Sequence, residues 1–263
     1  MRRWLVVIFS IAAALPASAA RAEERIVLET RSGVSQSFLY QKTPNPAAAL
    51  VLFEGGDGIV TGHGRPMPGF IEKTRTDFAA KGFSVAVIEP PSDRKGGMSQ
   101  DFRLSRQHVQ DVETVIRWLK KESEASVWLI GISLGTLSVA LITAGSQESV
   151  AGTVFLSAKT VRAGGPRMDS IVSDVRLQDI RVPALVIVHE KDACGGTPPE
   201  LAPRLVKSLQ NSPRAELVVM NGGGQKGKFV CGAATAHTFL GTEQKVIGAI
   251  VGFIEANRPK DSQ

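Results

Sequence analysis

The 263-residue sequence is poor in the residues that build metal sites, redox motifs and fibrous repeats. It has two cysteines, Cys194 and Cys231, and no Cys-x-x-Cys, which excludes a thiolate zinc site or dithiol redox motif. Its four histidines, His63, His108, His189 and His237, include no pair at ligand spacing, so neither a metal nor a cofactor is expected. The 26 glycines and 14 prolines are too few for a fibrous repeat. With 43% hydrophobic residues the chain is too apolar for disorder. There is no internal repeat, no low-complexity linker, no basic run and no basic patch interleaved with aromatics. Nucleic acid is therefore not an expected partner.

The first residues have the three parts of a secretory signal peptide. Arg2 and Arg3 precede the apolar run Trp4–Leu15, and the small residues Ala17, Ser18, Ala19 and Ala20 follow Pro16. The run is short for a bilayer span, and Glu23-Glu24 comes soon after it. Residues 1–22 are read as a signal peptide, cleaved after Ala19, Ala20 or Ala22, with 23–263 as one domain; an uncleaved N-terminal anchor is the competing reading. Cleavage removes three of the 31 basic residues and none of the 25 acidic ones, taking the net charge from +6 to about +3. The expected location is the periplasm or the exterior, with no stable membrane anchor after cleavage. In such an oxidising compartment the two cysteines are expected to form a Cys194–Cys231 disulfide, with two buried free thiols as the alternative.

Beyond this segment, strands and helices alternate. Ile26–Thr30 and Gln36–Tyr40 read as an antiparallel hairpin. Short apolar runs at Ala48–Phe53, Ser84–Ile88, Val127–Ile130, Thr153–Leu156, Ala184–His189 and Leu217–Met220 read as strands. Helices are expected at about 71–80, 105–121, 134–143, 201–209 and 246–254; Val109, Val112, Ile116 and Leu119 set the apolar face of the second. This alternation predicts an α/β fold, a mostly parallel sheet with helices on both faces. The stretch from about 158 to 181 leaves room for a minimal cap.

Gly131-Ile132-Ser133-Leu134-Gly135 follows a strand and opens a helix, the context of a nucleophile elbow. The sharp turn lifts the Ser133 hydroxyl clear of the sheet, and the flanking glycines relieve the crowding this creates. An ordinary helix cap at Ser133 is the competing role. An activated serine needs a base, and the base an orienting carboxylate, in the order Ser, acid, His on this architecture. His63 and His108 precede the serine, and His108 is expected to be a surface or half-buried residue. His189, three residues before Asp192, suits a structural role in its turn. His237 is the candidate base. Asp192, just past the strand Ala184–His189, is the candidate acid, ahead of Glu190, Asp169 and Asp174. The Cys194–Cys231 disulfide would then tie the acid loop to the histidine loop. Oxyanion donors are expected at the Leu134 N–H and in the loop Phe53-Glu54-Gly55-Gly56-Asp57-Gly58, at Gly56 or alternatively Asp57.

On these motifs the chain resembles the α/β-hydrolase fold family over nearly all of its mature length. Pro91-Ser92-Asp93-Arg94 and Asp192-Ala193-Cys194 make it similar to small exported bacterial hydrolases of the esterase and dienelactone-hydrolase branches. The resemblance implies catalytic Ser133, Asp192 and His237, backbone donors Gly56 and Leu134, and a small-molecule ester substrate. One departure stands out: many members have His-Gly where this chain has Glu54-Gly55, that histidine propping the oxyanion loop. The expected activity is hydrolysis of short-chain or soluble carboxylic esters through an acyl-enzyme. A peptidase or amidase, a thioesterase, and a catalytically silent binding protein are the alternatives.

Overall fold

β3 (Ala49–Phe53), β4 (Ser84–Ile88), β5 (Val127–Ile132), β6 (Gly152–Leu156) and β7 (Ala184–His189) are buried at every residue. Strands buried on both faces belong in the middle of a helix-covered parallel sheet. The computed structural model, which describes residues 22–60, 67–146, 148–162 and 174–258, has that sheet. Its strand order is β1-β2-β4-β3-β5-β6-β7-β8. β1 (Glu24–Arg31) and β2 (Val34–Gln41) form the expected antiparallel hairpin, and β2 also runs antiparallel to β4. From β4 through β8 (Ala215–Met220) every pairing is parallel. The expected signal peptide lies outside the described residues except for Ala22, as do residues 163–173 of the expected cap.

Alternation along each strand divides the interior into two cores. Val51, Phe53 and Leu129 face one core, packed with α3 (Arg106–Ser123), α4 (Gly135–Gly145) and α5 (Ala202–Ser208). Leu50, Leu52 and Ile130 face the other, packed with α1 (Phe70–Ala80) and α6 (Glu243–Ala256). α3 shows why a helix forms and where it stops. The Ser105 hydroxyl accepts the His108 N–H at 3.2 Å, and the chain leaves the helix at Glu124 in the left-handed region, φ +52°. Val112, Val115, Ile116 and Leu119 bury one stripe. Each such fully buried aliphatic side chain is worth about 1.5–3 kcal/mol, more than the few tenths that separate helix propensities, so packing decides the helix.

Two details depart from expectation. His108 is completely buried. It stands one turn before Val112, on the apolar stripe itself, with ring centroids 5.3 Å from Phe102 and 6.1 Å from Phe53. Its Nε2 lies 2.8 Å from the Ser138 hydroxyl, which makes the burial tolerable. A four-residue helix, α2 (Gln100–Arg103), was not signalled by periodicity. The Ser99 hydroxyl caps it by accepting the Phe102 N–H at 3.2 Å.

A candidate active site at the carboxyl edge of the sheet

Parallel strands carry their carboxyl ends to one edge, so the loops after β3, β5, β7 and β8 meet there. Ser133 follows β5 directly and has φ +52°, a left-handed backbone that costs an L-residue about 1–2 kcal/mol. Its surroundings hold it there. The Ser133 N–H donates to the Leu156 carbonyl at 2.9 Å, and the Ser133 carbonyl accepts the Thr136 N–H at 3.0 Å and the Thr136 hydroxyl at 2.5 Å. A Cβ on Gly131 would sit 2.6 Å from the Gly135 oxygen, and one on Gly135 would overlap the Phe53 carbonyl. The motif glycines are thus required by close backbone approach. The Ser133 side chain makes no cap hydrogen bond; Leu134 occupies the cap position of α4.

Asp192 sits three residues beyond β7, its N–H donating to the His189 carbonyl at 3.0 Å. Its Oδ1 accepts the Cys194 N–H at 2.9 Å, while Oδ2 accepts the Thr197 hydroxyl at 2.9 Å and His237 Nδ1 at 3.0 Å. Asp192 and His237 are both buried. A carboxylate only accepts, so the imidazole proton lies on Nδ1 and Nε2 keeps its lone pair. His237 stands in a 3₁₀ turn, Ala236–Thr238, closed by reciprocal Thr235–Thr238 capping, and its carbonyl accepts the Ser157 hydroxyl at 2.9 Å. The disulfide Cys194–Cys231 is present, with Cα atoms 4.7 Å apart, and joins the loops that carry Asp192 and His237.

Ser133 and His237 line the same crevice, of about 460 Å³, together with Glu54, Gly55, Gly56 and Met67. Among the described residues the Ser133 hydroxyl makes no hydrogen bond to the His237 ring. A second crevice, of about 660 Å³, is lined by Leu134, Lys159 and Thr197 and shares Gly56, Ser133, Phe229 and Cys231 with the first. Ser133 therefore stands at the junction of two spaces, and Phe229, 71% exposed, borders both. Among the described residues no three His, Cys, Asp or Glu side chains are grouped so as to hold a metal ion.

The loop after β3 passes directly over the serine. A Cβ on Gly55 would lie 3.1 Å from Ser133 Cβ. Glu54 props this loop with its buried carboxylate. Oε1 accepts the Gly55 N–H at 2.8 Å, and Oε2 accepts the Glu72 N–H at 3.1 Å in the first turn of α1, whose cap residue, Gly69, has no side chain. A carboxylate at a helix N-terminus is favourable. Among the described residues the N–H groups of Gly56 and Leu134 donate no hydrogen bond.

The rejected candidates have other employment. His189 accepts the Lys191 N–H on Nδ1 at 3.1 Å and bonds the Gly222 carbonyl through Nε2 at 2.9 Å, a structural role as expected. Asp174 pairs with Arg162 at 2.5 Å, and Glu190 is exposed. His63 and Asp169 lie outside the described residues. Sequence reasoning missed Thr197, Phe229 and Arg103, none of which belongs to a motif.

No protein-family model and no curated protein matches the sequence. Solved structures do match. An esterase from Pyrococcus furiosus superposes with a TM-score of 0.64 at 13% identity, over 89% of this chain and 92% of that one. The chain has the α/β-hydrolase fold. Two further α/β-hydrolase structures resemble it equally broadly. Est1E from Butyrivibrio proteoclasticus, solved with ferulic acid bound, gives 0.64 at 13% identity over 88% of this chain and 98% of its own. A dienelactone hydrolase from Anabaena variabilis gives 0.62 at 14% identity over 90% and 99%.

Proposed function

We propose that this α/β-hydrolase is an exported serine hydrolase of carboxylic esters, with residues 1–22 as its signal peptide and 23–263 as a single catalytic domain. The observation that carries the proposal is Ser133: a serine in left-handed backbone at a strand–helix turn, in one crevice with His237, whose Nδ1 is held by the buried Asp192. In this scheme the Ser133 hydroxyl attacks the ester carbonyl carbon while its proton passes to His237 Nε2. Asp192 orients the ring and stabilises the imidazolium. The negative charge on the tetrahedral oxygen is met by the N–H groups of Gly56 and Leu134. Collapse breaks the bond to the alcohol, which takes the proton from His237 as it leaves. Water, deprotonated by the same ring, then releases the acid and restores Ser133. Thioesters and amides use the same groups, so the bond type rests on the esterase and dienelactone-hydrolase neighbours. The low aromatic content, 6%, favours short or soluble acyl groups over long lipid chains.

The test is a fluorophosphonate incubation read by intact mass, with Ser133→Ala alongside. One adduct on the wild type and none on the variant is expected, followed by turnover of short esters. A folded wild type that takes no adduct moves the silent binding protein to first place.

A further inference from the structure

Arg103, the last residue of α2, is completely buried, yet among the described residues its guanidinium hydrogen-bonds no carboxylate. Buried cations are normally paired, because leaving water costs several kcal/mol that only close opposite charge returns. Burial pushes this guanidinium down to about 10, the negative charges on Glu54 and Asp57 compensating in part. The cation is retained all the same, and its contacts converge on one segment. Nη2 donates to the carbonyls of Glu54 at 3.1 Å and Gly56 at 3.3 Å, while Nη1 donates to the Ser138 hydroxyl of α4 at 3.1 Å. The loop is shaped to receive it: a Cβ on Gly58, φ +76°, would lie 2.6 Å from Nη2.

The consequence follows from peptide geometry. In a trans peptide the C=O and N–H point in opposite directions. Holding the Glu54 carbonyl sets the direction of the Gly55 N–H, which goes to the Glu54 carboxylate. The Gly55 carbonyl accepts the Gly58 N–H at 3.0 Å, which sets the direction of the Gly56 N–H. Holding the Gly56 carbonyl sets that of Asp57. Every N–H between Gly55 and Asp57 is thus aimed, two of the three by Arg103. The same guanidinium bridges through Ser138 to α4, the helix that opens behind Ser133. Because Arg103 only donates, the Ser138 hydroxyl is left to donate to His108, whose ring burial holds neutral at about 3.

We propose that Arg103 is the positioning residue of the oxyanion loop: a buried cation that fixes the Glu54 and Gly56 carbonyls, and so the peptides on either side of the one that carries the Gly56 N–H, keeping that donor oriented for the tetrahedral oxygen. The proposal rests on the serine-hydrolase reading and adds a residue outside its triad. Donors that need no rearrangement act on the transition state and leave substrate binding nearly unchanged, so the loss falls on kcat.

The experiment compares wild type, Arg103→Met and Arg103→Lys for kcat and KM on a short p-nitrophenyl ester, and for inhibition by a phenylboronic acid, which forms a tetrahedral adduct on an activated serine. Deleting one whole oxyanion donor lowers kcat about 10²–10³-fold. A loop left in place but loosened should lose about 10–100-fold in Arg103→Met. KM should stay within about threefold, and boronate affinity should fall by the same factor as kcat. Arg103→Lys keeps the charge without the planar fork and should recover part of both. A folded Arg103→Met enzyme with kcat and boronate affinity within about twofold of wild type overturns the proposal. If Arg103→Met does not fold, Arg103→Lys decides: wild-type kcat and boronate affinity refute it, and a matched fall in both supports it. A wild type that forms no Ser133 phosphonate adduct defeats the hydrolase reading itself, an outcome separate from either.

Discussion

Removing the disulfide separates what holds this fold from what holds its site. Cys194 and Cys231 are 37 residues apart, and the bond lies between two loops, outside both apolar cores. Opening a loop of that length returns conformational freedom to the unfolded chain worth about 4 kcal/mol at 25 °C in the chain-entropy account. For a domain of this size that lowers Tm by roughly 8–16 °C. A protein with stability in the usual range of about 5–15 kcal/mol stays mainly folded at 25 °C. The site has less reserve. The Cys194 N–H holds Asp192 Oδ1 at 2.9 Å, the Cys194 carbonyl accepts the Thr197 N–H at 3.0 Å, and Thr197 bonds the same Asp192 oxygen that His237 uses. Freed from Cys231, the acid loop and the histidine loop drift apart, and a displacement of about 1 Å costs on the order of 10²-fold in rate. The double variant Cys194→Ser/Cys231→Ser avoids a lone thiol. Assayed at 25 °C, with its melting curve recorded in parallel, it should be folded and reduced at least about tenfold in kcat. A folded double variant with kcat within twofold of the wild type would refute the coupling of the bond to the Asp–His pair.

Three other perturbations probe the neighbouring groups. Glu54→Ala leaves the N–H groups of Gly55 and Glu72 without their carboxylate and should destabilise by about 3 kcal/mol in urea unfolding, with Glu54→Gln keeping part of the loss; an unchanged midpoint for Glu54→Ala contradicts its propping role. Burial, and then the nearby positive charge of Arg103, hold His108 down to about 3. Between about pH 6.5 and 3 the unfolded chain binds a proton that the folded chain refuses, so stability falls as pH is lowered through that window, by at most about 5 kcal/mol. His108→Gln should flatten this part of the stability curve, and parallel curves for the two proteins would exclude the histidine as a cause. Phe229→Ala removes an exposed ring bordering both crevices and should leave Tm within about 2 °C of wild type. It should raise kcat/KM for bulky esters relative to acetyl esters, and an unchanged ratio would show that the ring does not limit either space.

The parts of this molecule legible in its sequence are those in which one physical demand dominates a run of residues. β7 is legible to the residue because Ala184–Val188 is apolar throughout and the whole strand is buried. α3 was legible from its stripe, and the hairpin from the two-residue turn at Gly33, φ +69°. The same stripe argument, carried one turn further toward the N-terminus, places His108 inside. Its imidazole reads as surface or half-buried because the partner that offsets its burial, Ser138, lies on another helix, thirty residues away. α2 was invisible for a related reason: four residues give no period, and what holds them is a buried cation reaching across to the loop after β3.

The candidate site divides along the same line. Ser133, Asp192 and His237 could be proposed in advance because an elbow needs glycines at fixed offsets and because the order of the triad excludes most other residues. Glu54, Thr197 and Arg103 follow no spacing rule, since each acts through a partner that only the fold brings near. They share one physical task. Loops at the end of a parallel sheet have no ladder to hold them, so their polar groups must be held by something else. Here the acid and histidine loops are joined covalently at Cys194–Cys231 and by the three-way contact of Asp192, Thr197 and His237. The loop after β3 has no cysteine, and it is held instead between a buried anion and a buried cation, Glu54 above the first turn of α1 and Arg103 against α4. A buried glutamate at position 54 is compatible with this arrangement because its charge is offset by Arg103 on one side and a helix N-terminus on the other. A histidine at position 54, neutral and unable to accept two backbone N–H groups, would leave only the charge of Asp57 to offset the guanidinium. The acid at 54 and the buried cation at 103 are therefore a single feature, and neither should tolerate replacement while the other remains.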